Sequence, residues 1–357
     1  MSALTVAIAA GGTGGHVYPG LAVAEVLQRR GHRVVWLGTR QGLEGHAVPA
    51  AGLASEWLEI GGVRGKGPRA LAALPARLGR AVAVAGRALR RWQPDVVLGM
   101  GGYVAGPVGL AARLARRPLV IHEQNARAGL TNRTLARLSQ RVLTGFPGAL
   151  GERRGEWTGN PARAAIHALA APQQRFAGRA GPPRLLVLGG SQGSRALNRW
   201  VPQALAEAGE APLICHQAGE ATLEEARTGY REAGVSAEIV PFIDDMAGAY
   251  GWADLVVARA GALTVAELAA AGVPAVLVPL PWAVDDHQTA NAAQLREVGA
   301  ARVVPQADVE AGVLAQLLPG LLADRERLAG MAGMARSVAR PDAAERIATV
   351  CEEVVYG

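Results

Sequence analysis

The sequence predicts an α/β protein of two doubly wound domains, and three observations carry that prediction. A glycine-rich loop, Gly11-Gly12-Thr13-Gly14-Gly15-His16, follows the apolar run 4–9. A second, Gly189-Gly190-Ser191-Gln192-Gly193-Ser194, follows the apolar run 185–188 in the other half of the chain. Around both, short apolar runs without period-two alternation alternate with helical patterns, which marks parallel strands covered on both faces. Two strand–loop–helix openings of this kind predict two domains facing each other across a ligand cleft.

In the first half, strand 4–9 is followed by helix 19–28 and strand 34–37. Strands 96–100 and 119–122 come next, with helix 107–115 between them. Leu143 and Trp157 mark two weaker strands. The pattern breaks at Gly159-Asn160-Pro161, a hinge that sets a first domain, 1–162, apart from a second, 163–340. Strands resume at 185–188, 213–216, 238–240, 255–258, 275–278 and 302–304. A last helix, 343–355, follows Pro341, and the segment 341–357 is expected to pack back on the first domain. Right-handed crossovers put the loops after these strands on one edge of each sheet, the edge where open α/β sheets bind ligands. That directs attention to residues 11–16, 101–106, 122–127, 189–194, 259–267 and 279–288.

The chain has 357 residues, enough for two full cores, and half of them are hydrophobic, which excludes a disordered protein. Its net charge of +7 implies an anionic partner: nucleic acid, an anionic membrane surface or a phosphorylated substrate. Cys215 and Cys351 stand in no metal-ligand spacing and read as two buried thiols in a reducing compartment. The N-terminus carries no signal-peptide pattern. No run of about 20 apolar residues is free of charges and breakers, so membrane contact is expected to be peripheral.

The first loop offers Gly12 and Gly14 as a G-x-G, but Val17 stands where a third small residue belongs. Strand 34–37 ends in Gly38 with no acidic residue, so a nicotinamide reading fails. The second loop lacks a Lys-Ser/Thr ending, which argues against nucleotide hydrolysis. What remains is amide groups at helix N-termini, suited to an anion such as a diphosphate, or simply a tight turn. His16, near a helix N-terminus, is disfavoured as a cation and reads either as a base or as a loop-bonding residue. His122-Glu123-Gln124-Asn125 ends a strand; it suits a hydroxyl-rich ligand, or a turn whose polar groups satisfy one another. Glu267, more than one turn into a helix after Gly261 and facing the cleft or the solvent, reads as a ribose-diol clamp or an ordinary helix glutamate. Asp285-Asp286-His287-Gln288 is no metal cluster, because adjacent residues rarely converge on one ion. Leu71, Leu74 and Leu78 fall at helical spacing, extended by Val82, with Arg69, Arg77, Arg80 and Arg87 nearby. That stripe is a core face with solvated arginines, or a basic amphipathic surface for anionic lipid.

Taken together, these motifs resemble one family. Gly11–His16, Gly99-Met100-Gly101-Gly102-Tyr103, His122–Asn125, Gly159-Asn160-Pro161-Ala162-Arg163, Gly189–Gly193, Phe242-Ile243-Asp244-Asp245-Met246 and Gly261-Ala262-Leu263-Thr264 occur in order along essentially the whole chain. They are similar to the MurG family of peripheral-membrane GlcNAc transferases of bacterial cell-wall synthesis. The resemblance implies two Rossmann-like domains facing across a cleft, the GT-B architecture. It implies UDP-GlcNAc as donor, undecaprenyl-diphosphate-MurNAc-pentapeptide (lipid I) as acceptor, and lipid II with a β(1→4) linkage as product. It also implies work at the cytoplasmic face of the cell membrane, with a part in cell shape and division, and neither cofactor, catalytic metal nor nucleic acid. Carried over, Thr13, Gly14 and Gly15 lie near sugar and diphosphate, and Asn125 contacts GlcNAc. Arg163 and Ser191 hold the nucleotide, the Ile243 backbone reads uracil, and Gln288 reads GlcNAc hydroxyls. Ala262, Leu263, Thr264, Val265, Ala266 and Glu267 carry phosphate and ribose contacts, with Glu267 on the diol. His16 is the first candidate base and Glu123 the second. Arg69, Leu71, Leu74, Arg77, Leu78 and Arg80 match the family's membrane-docking region. Two alternatives share the architecture: a UDP-GlcNAc 2-epimerase, and a non-catalytic nucleotide-sugar-binding protein recruited to membranes.

Overall fold

The structure, a computed structural model, describes residues 2–60, 74–151, 155–190, 193–206, 212–310 and 312–357. The chain forms two compact units, Met1–Ala162 with Arg340–Gly357, and Arg163–Ala339.

The first unit is built on a parallel sheet in the order β3-β2-β1-β4-β5-β6-β7. Its strands are β1 (Thr5–Ala9), β2 (Arg33–Gly38), β3 (Ala54–Trp57), β4 (Val96–Gly99), β5 (Leu119–Glu123), β6 (Arg141–Thr144) and β7 (Glu156–Trp157). Alternation along β1 is hidden in the sequence because both faces are covered. Val6 and Ile8 join one core with Trp36, Leu98 and the C-terminal helix residues Ile347 and Cys351. Ala7 and Ala9 join another with Val35, Val97 and Ile121. The strand order reverses direction between β1 and β4, whose residues pair as Ile8 with Leu98. The loops leaving these two strands therefore flank the switch point where ligands of such sheets bind.

The C-terminal helix Ala343–Tyr356 is tied to this unit by charge as well as by its apolar face. Arg30 reaches Glu345 at 2.5 Å and Glu352 at 2.9 Å. The Leu4 amide donates to His32 Nδ1, so His32 Nε2 carries the proton and donates to Glu352 at 2.8 Å. Arg346 bridges Glu156 and Glu353, and Arg340 stacks over Trp157 with 3.7 Å to the ring centroid.

The second unit repeats the plan in the order β10-β9-β8-β11-β12-β13. Its strands are β8 (Arg184–Leu188), β9 (Leu213–Gln217), β10 (Glu238–Val240), β11 (Leu255–Ala258), β12 (Ala275–Leu277) and β13 (Ala301–Val303). Here the switch point lies between β8 and β11, paired through Val257 and Val187.

Four local expectations change, the first being that the helix expected at 107–115 runs Gly102–Leu114, starting in the loop after β4. The first helix runs Gly14–Arg29, starting at the glycine loop itself rather than at Pro19. The helix Glu44–Ala50 and strand β3 were not anticipated; β3, Ala-Ser-Glu-Trp, is a half-exposed edge strand without an apolar run. Cys351 is buried, but Cys215 is only half-buried.

Candidate functional site

In the first unit, the loop after β1 turns at Gly12, whose φ of 100° suits only glycine. Its amide donates to Glu44 Oε2 at 3.0 Å. Thr39 Oγ1 donates to Glu44 Oε1 at 2.7 Å and so accepts from the Tyr103 hydroxyl, also at 2.7 Å. The loop after β4 presses directly on this turn: Gly102 has a φ of 76°, and a Cβ there would stand against the Gly11 carbonyl oxygen. Thr13 stands at the N-cap position of the helix that follows, without a side-chain capping bond, and Gly14, Gly15 and His16 are the helix's first residues. His16 Nδ1 lies 3.2 Å from Thr13 Oγ1. The imidazole edge borders Gly101, where a Cβ would meet Nε2 at 3.0 Å and Gln124 Oε1 at 3.2 Å. Glycine at 101 thus leaves room for His16 and Gln124 to share one small space.

His122, Glu123 and Gln124 are all buried at the end of β5. The Gly159 carbonyl can only accept, so His122 Nε2 donates to it at 3.0 Å and Nδ1 accepts from Gln124 at 3.1 Å. Burial pushes the His122 pKa down to about 4, partly offset by the Gly159 bond, and keeps the ring neutral. Glu123 accepts from the Asn125 amide at 2.9 Å, its side chain at 3.2 Å, the Gly129 amide at 3.2 Å and Asn132 Nδ2 at 2.9 Å. Its carboxylate is therefore turned into the loop, and it fixes both ends of the Asn125 turn.

In the second unit, the loop after β8 is held by Gln217 at the end of β9. Gln217 accepts from the Gly190 amide at 3.1 Å and donates to the Gly190 and Pro241 carbonyls, each at 3.0 Å. One side chain thereby links the glycine loop to the segment leading into Ile243. Arg259, just after β11, donates to Ser194 Oγ at 3.0 Å, Gln306 at 2.8 Å and the Val278 carbonyl at 3.2 Å. Ser191 lies outside the described residues.

Gly261 caps the helix Ala262–Ala271, which carries Leu263, Thr264, Val265, Ala266 and Glu267. Glu267 does not face open solvent: it is only 4 % exposed and accepts from Arg163 Nε at 3.1 Å and the Tyr250 hydroxyl at 3.2 Å. Burial raises its pKa, and Arg163 pulls it back. Gln288 uses its carbonyl oxygen to hold the Leu280 amide at 2.9 Å. Among the described residues, no group of three or more His, Cys, Asp or Glu is placed to hold a metal ion.

Of the basic segment, Arg69 and Leu71 lie outside the described residues, as does the side chain of Leu74. Leu78 is 42 % exposed, and Arg77 and Arg80 are exposed beside it on the helix Leu74–Trp92. Val82, by contrast, is partly buried against the core. A groove between this helix and Gly102–Leu114 is floored by Val82 and Ala111 and flanked by Arg87, Arg90 and Leu114, which is 74 % exposed. Among the described residues no helix is long and apolar enough to cross a membrane.

The glycosyltransferase family 28 N-terminal domain matches residues 6–144, and the C-terminal domain of that family matches residues 184–347. A UDP-N-acetylglucosamine–N-acetylmuramyl-(pentapeptide) pyrophosphoryl-undecaprenol N-acetylglucosamine transferase of Halorhodospira halophila is 74 % identical over the full length of both chains. The enzyme of the same name from Alkalilimnicola ehrlichii is 58 % identical over 98 % of this chain and 99 % of its own. The crystal structure of Acinetobacter baumannii MurG superposes with a TM-score of 0.83 at 40 % identity, covering 98 % of this chain and 99 % of the other. The chain belongs to the MurG family.

The MurG resemblance drawn from the motifs is thus borne out, as are the two Rossmann-like domains of the glycosyltransferase fold. Several residues that hold these loops within each unit escaped the sequence reading. Glu44, Gln217 and Tyr250 were not singled out, and Arg259 stood in a noted segment without a role. Gln217 ends a strand and could have been found by the same ligand-edge rule that found Asn125. Glu44 lies in a short helix away from any motif, and Tyr250 lies four residues beyond the motif that ends at Met246, so no local signal marks either.

Proposed function

We propose that this chain transfers GlcNAc from UDP-GlcNAc to the MurNAc 4-hydroxyl of lipid I, making β(1→4)-linked lipid II for peptidoglycan. The single observation that carries this reading is the 74 % identity, over the full length of both chains, to an enzyme of that name. That match favours a transferase over the epimerase and the non-catalytic binding protein.

Inversion at C1 means one in-line displacement. The acceptor oxygen attacks C1 as the bond to the UDP β-phosphate breaks, and that bond's electron pair leaves with UDP. The hydroxyl proton goes to a base. In our reading that base is His16 through Nε2, with Nδ1–H donating to Thr13 Oγ1. Glu123 is the weaker candidate, because its carboxylate already serves four donors in the loop; it then acts by holding Asn125 for the GlcNAc hydroxyls. Thr13, Gly14 and Gly15 contribute at the sugar through their place at a helix N-terminus. Leaving-group charge is met by the second unit. The glycine loop with Ser191 leads into the helix Arg195–Ala206, whose N-terminus favours an anion. Arg163 adds positive charge, Ala262 to Ala266 line the phosphate contacts, and Glu267 takes the ribose diol. The Ile243 backbone reads uracil and the Gln288 amide nitrogen reads GlcNAc.

For the membrane, we infer that the first unit rests peripherally on the anionic cytoplasmic face. Leu78 and Leu114 supply apolar contact, and Arg77, Arg80, Arg87 and Arg90 supply charge; Arg69, Leu71 and Leu74 belong to the same reading. The test of function is incubation with radiolabelled UDP-GlcNAc and a lipid I analogue, with the product linkage read by NMR. A β(1→4) disaccharide-lipid is expected. Recovery of a 2-epimerised sugar nucleotide, or of no disaccharide from folded protein, would overturn the assignment.

A further inference from the structure

The Glu267 carboxylate is held from two sides. Arg163 donates to Oε1 at 3.1 Å and Tyr250 to Oε2 at 3.2 Å. An ionised carboxylate has about four lone-pair directions, two on each oxygen. The two partners take one on each oxygen, which leaves one further acceptor position on each oxygen. That is the pattern that accepts from the two hydroxyls of a vicinal diol.

Tyr250 is itself fixed with unusual thoroughness for a residue outside every motif. It is 1 % exposed, on the helix Met246–Trp252. Asp245 caps that helix by accepting from the Gly248 amide at 2.8 Å. Its C-terminal end is held by Arg175, which donates to the Tyr250 carbonyl at 3.2 Å, and by Arg179, which donates to the Gly251 and Trp252 carbonyls, each at 2.6 Å. The same Arg175 donates to the Ala271 and Gly272 carbonyls at the end of the helix that carries Glu267. One guanidinium therefore sets the spacing of the two helices whose side chains meet at this carboxylate. The Tyr250 hydroxyl, sealed from water, has Glu267 as its acceptor.

We propose that Tyr250 is a positioning residue for nucleotide selection: it orients the Glu267 carboxylate so that the site distinguishes a ribose diol from a deoxyribose. The proposal rests on the ribose reading of Glu267 and adds the element that makes the carboxylate selective. Arg163 alone leaves the carboxylate free to rotate about the Cγ–Cδ bond; Tyr250 locks its plane.

The experiment is calorimetric titration of the intact protein with UDP and with 2′-deoxyuridine 5′-diphosphate, using the ratio of the two Kd values. That ratio is insensitive to the fraction of protein folded, and a merely structural tyrosine would leave it unchanged. Wild type is expected to prefer UDP. Tyr250→Phe, which keeps the ring and its packing, is expected to shrink that preference by about fivefold or more, as loss of a hydrogen bond to a charged group predicts. Glu267→Gln is expected to shrink it as well. A wild-type ratio in Tyr250→Phe with a collapsed ratio in Glu267→Gln would overturn the role of Tyr250 and leave the ribose reading standing. A wild-type ratio in both would overturn the ribose reading together with the proposal.

Discussion

Asn132 Nδ2 donates to Glu123 Oε2 at 2.9 Å, joining the end of β5 to the short helix Leu130–Leu135. With Gly129 on the same oxygen and Asn125 on the other, the carboxylate is the hub of the turn that presents Asn125. Glu123→Gln places an amide where only acceptors fit. Turnover is expected to fall about tenfold or more, from lost positioning rather than a lost base. The acidic limb of the kcat/KM profile should stay where wild type has it. A limb that vanishes in Glu123→Gln would return Glu123 to the role of base.

His16→Ala should behave differently. Removal of a general base is expected to lower kcat by about a hundredfold or more. UDP affinity, which the proposed function assigns to the second unit, should hold. Rapid-quench turnover together with UDP titration checks this; undiminished kcat removes His16 from the chemistry.

Gly102→Ala tests the contact between the loops after β1 and β4 in the first unit. At Gly31, φ is 84° and a Cβ would meet nothing within 4 Å, so Gly31→Ala is expected to cost about 1 kcal/mol of backbone strain. Gly102 carries comparable strain and would add a clash with the Gly11 carbonyl. Its alanine variant is therefore expected to lose about 2 kcal/mol or more. Urea unfolding of the two variants, compared directly, decides it; equal losses would mean that the loops yield.

Glu352 makes stability depend on acid pH. Burial alone would raise its pKa, but bonds from His32 and Arg30 outweigh burial and hold it below the ordinary carboxylate value. A depressed folded-state pKa contributes stability that is complete above the unfolded value and is lost as pH falls through the folded one. The gap in stability between wild type and Glu352→Gln should therefore be widest near neutrality and close below the usual carboxylate range. Thermal melts across that window read it, and a gap that widens in acid contradicts the assignment.

Leu114→Asp and Leu78→Asp address the basic face. Burying a leucine is worth about 1.5–3 kcal/mol, so each change should weaken binding to anionic vesicles by about tenfold or more. Turnover on a soluble acceptor analogue should be unchanged. Vesicle co-sedimentation that is indifferent to both substitutions would place the membrane contact elsewhere.

The parallel strands were legible because burial on both faces writes them as apolar runs. β3 was not, since an edge strand with Ser55 and Glu56 half-exposed carries no such run. Motif residues such as His16, Asn125 and Glu267 were legible because each follows a strand, on the edge where the fold binds ligands. Their partners were not: Gly12 meets Glu44 across 32 residues, Glu267 meets Tyr250 across 17, and Ser194 meets Arg259 across 65. Such pairs exist only once tertiary packing brings their elements together. The burial of Glu267 belongs with them, since helical periodicity alone left it facing a cleft or water.

The helix Ala343–Tyr356 brings Ile347 and Cys351 into the same core as Val6 and Ile8. The first unit is thus interrupted by the whole of the second. In chain order, every residue of the second unit therefore precedes the helix Ala343–Tyr356 that completes the core of the first. During synthesis the helix Gly14–Arg29 can already pack on Val6 and Ile8, but the part of that face that Ile347 and Cys351 cover stays open, while the inserted unit, contiguous from Arg163 to Ala339, has all it needs to close first. Completion of the first unit's core thus waits on a helix made after the whole of the second.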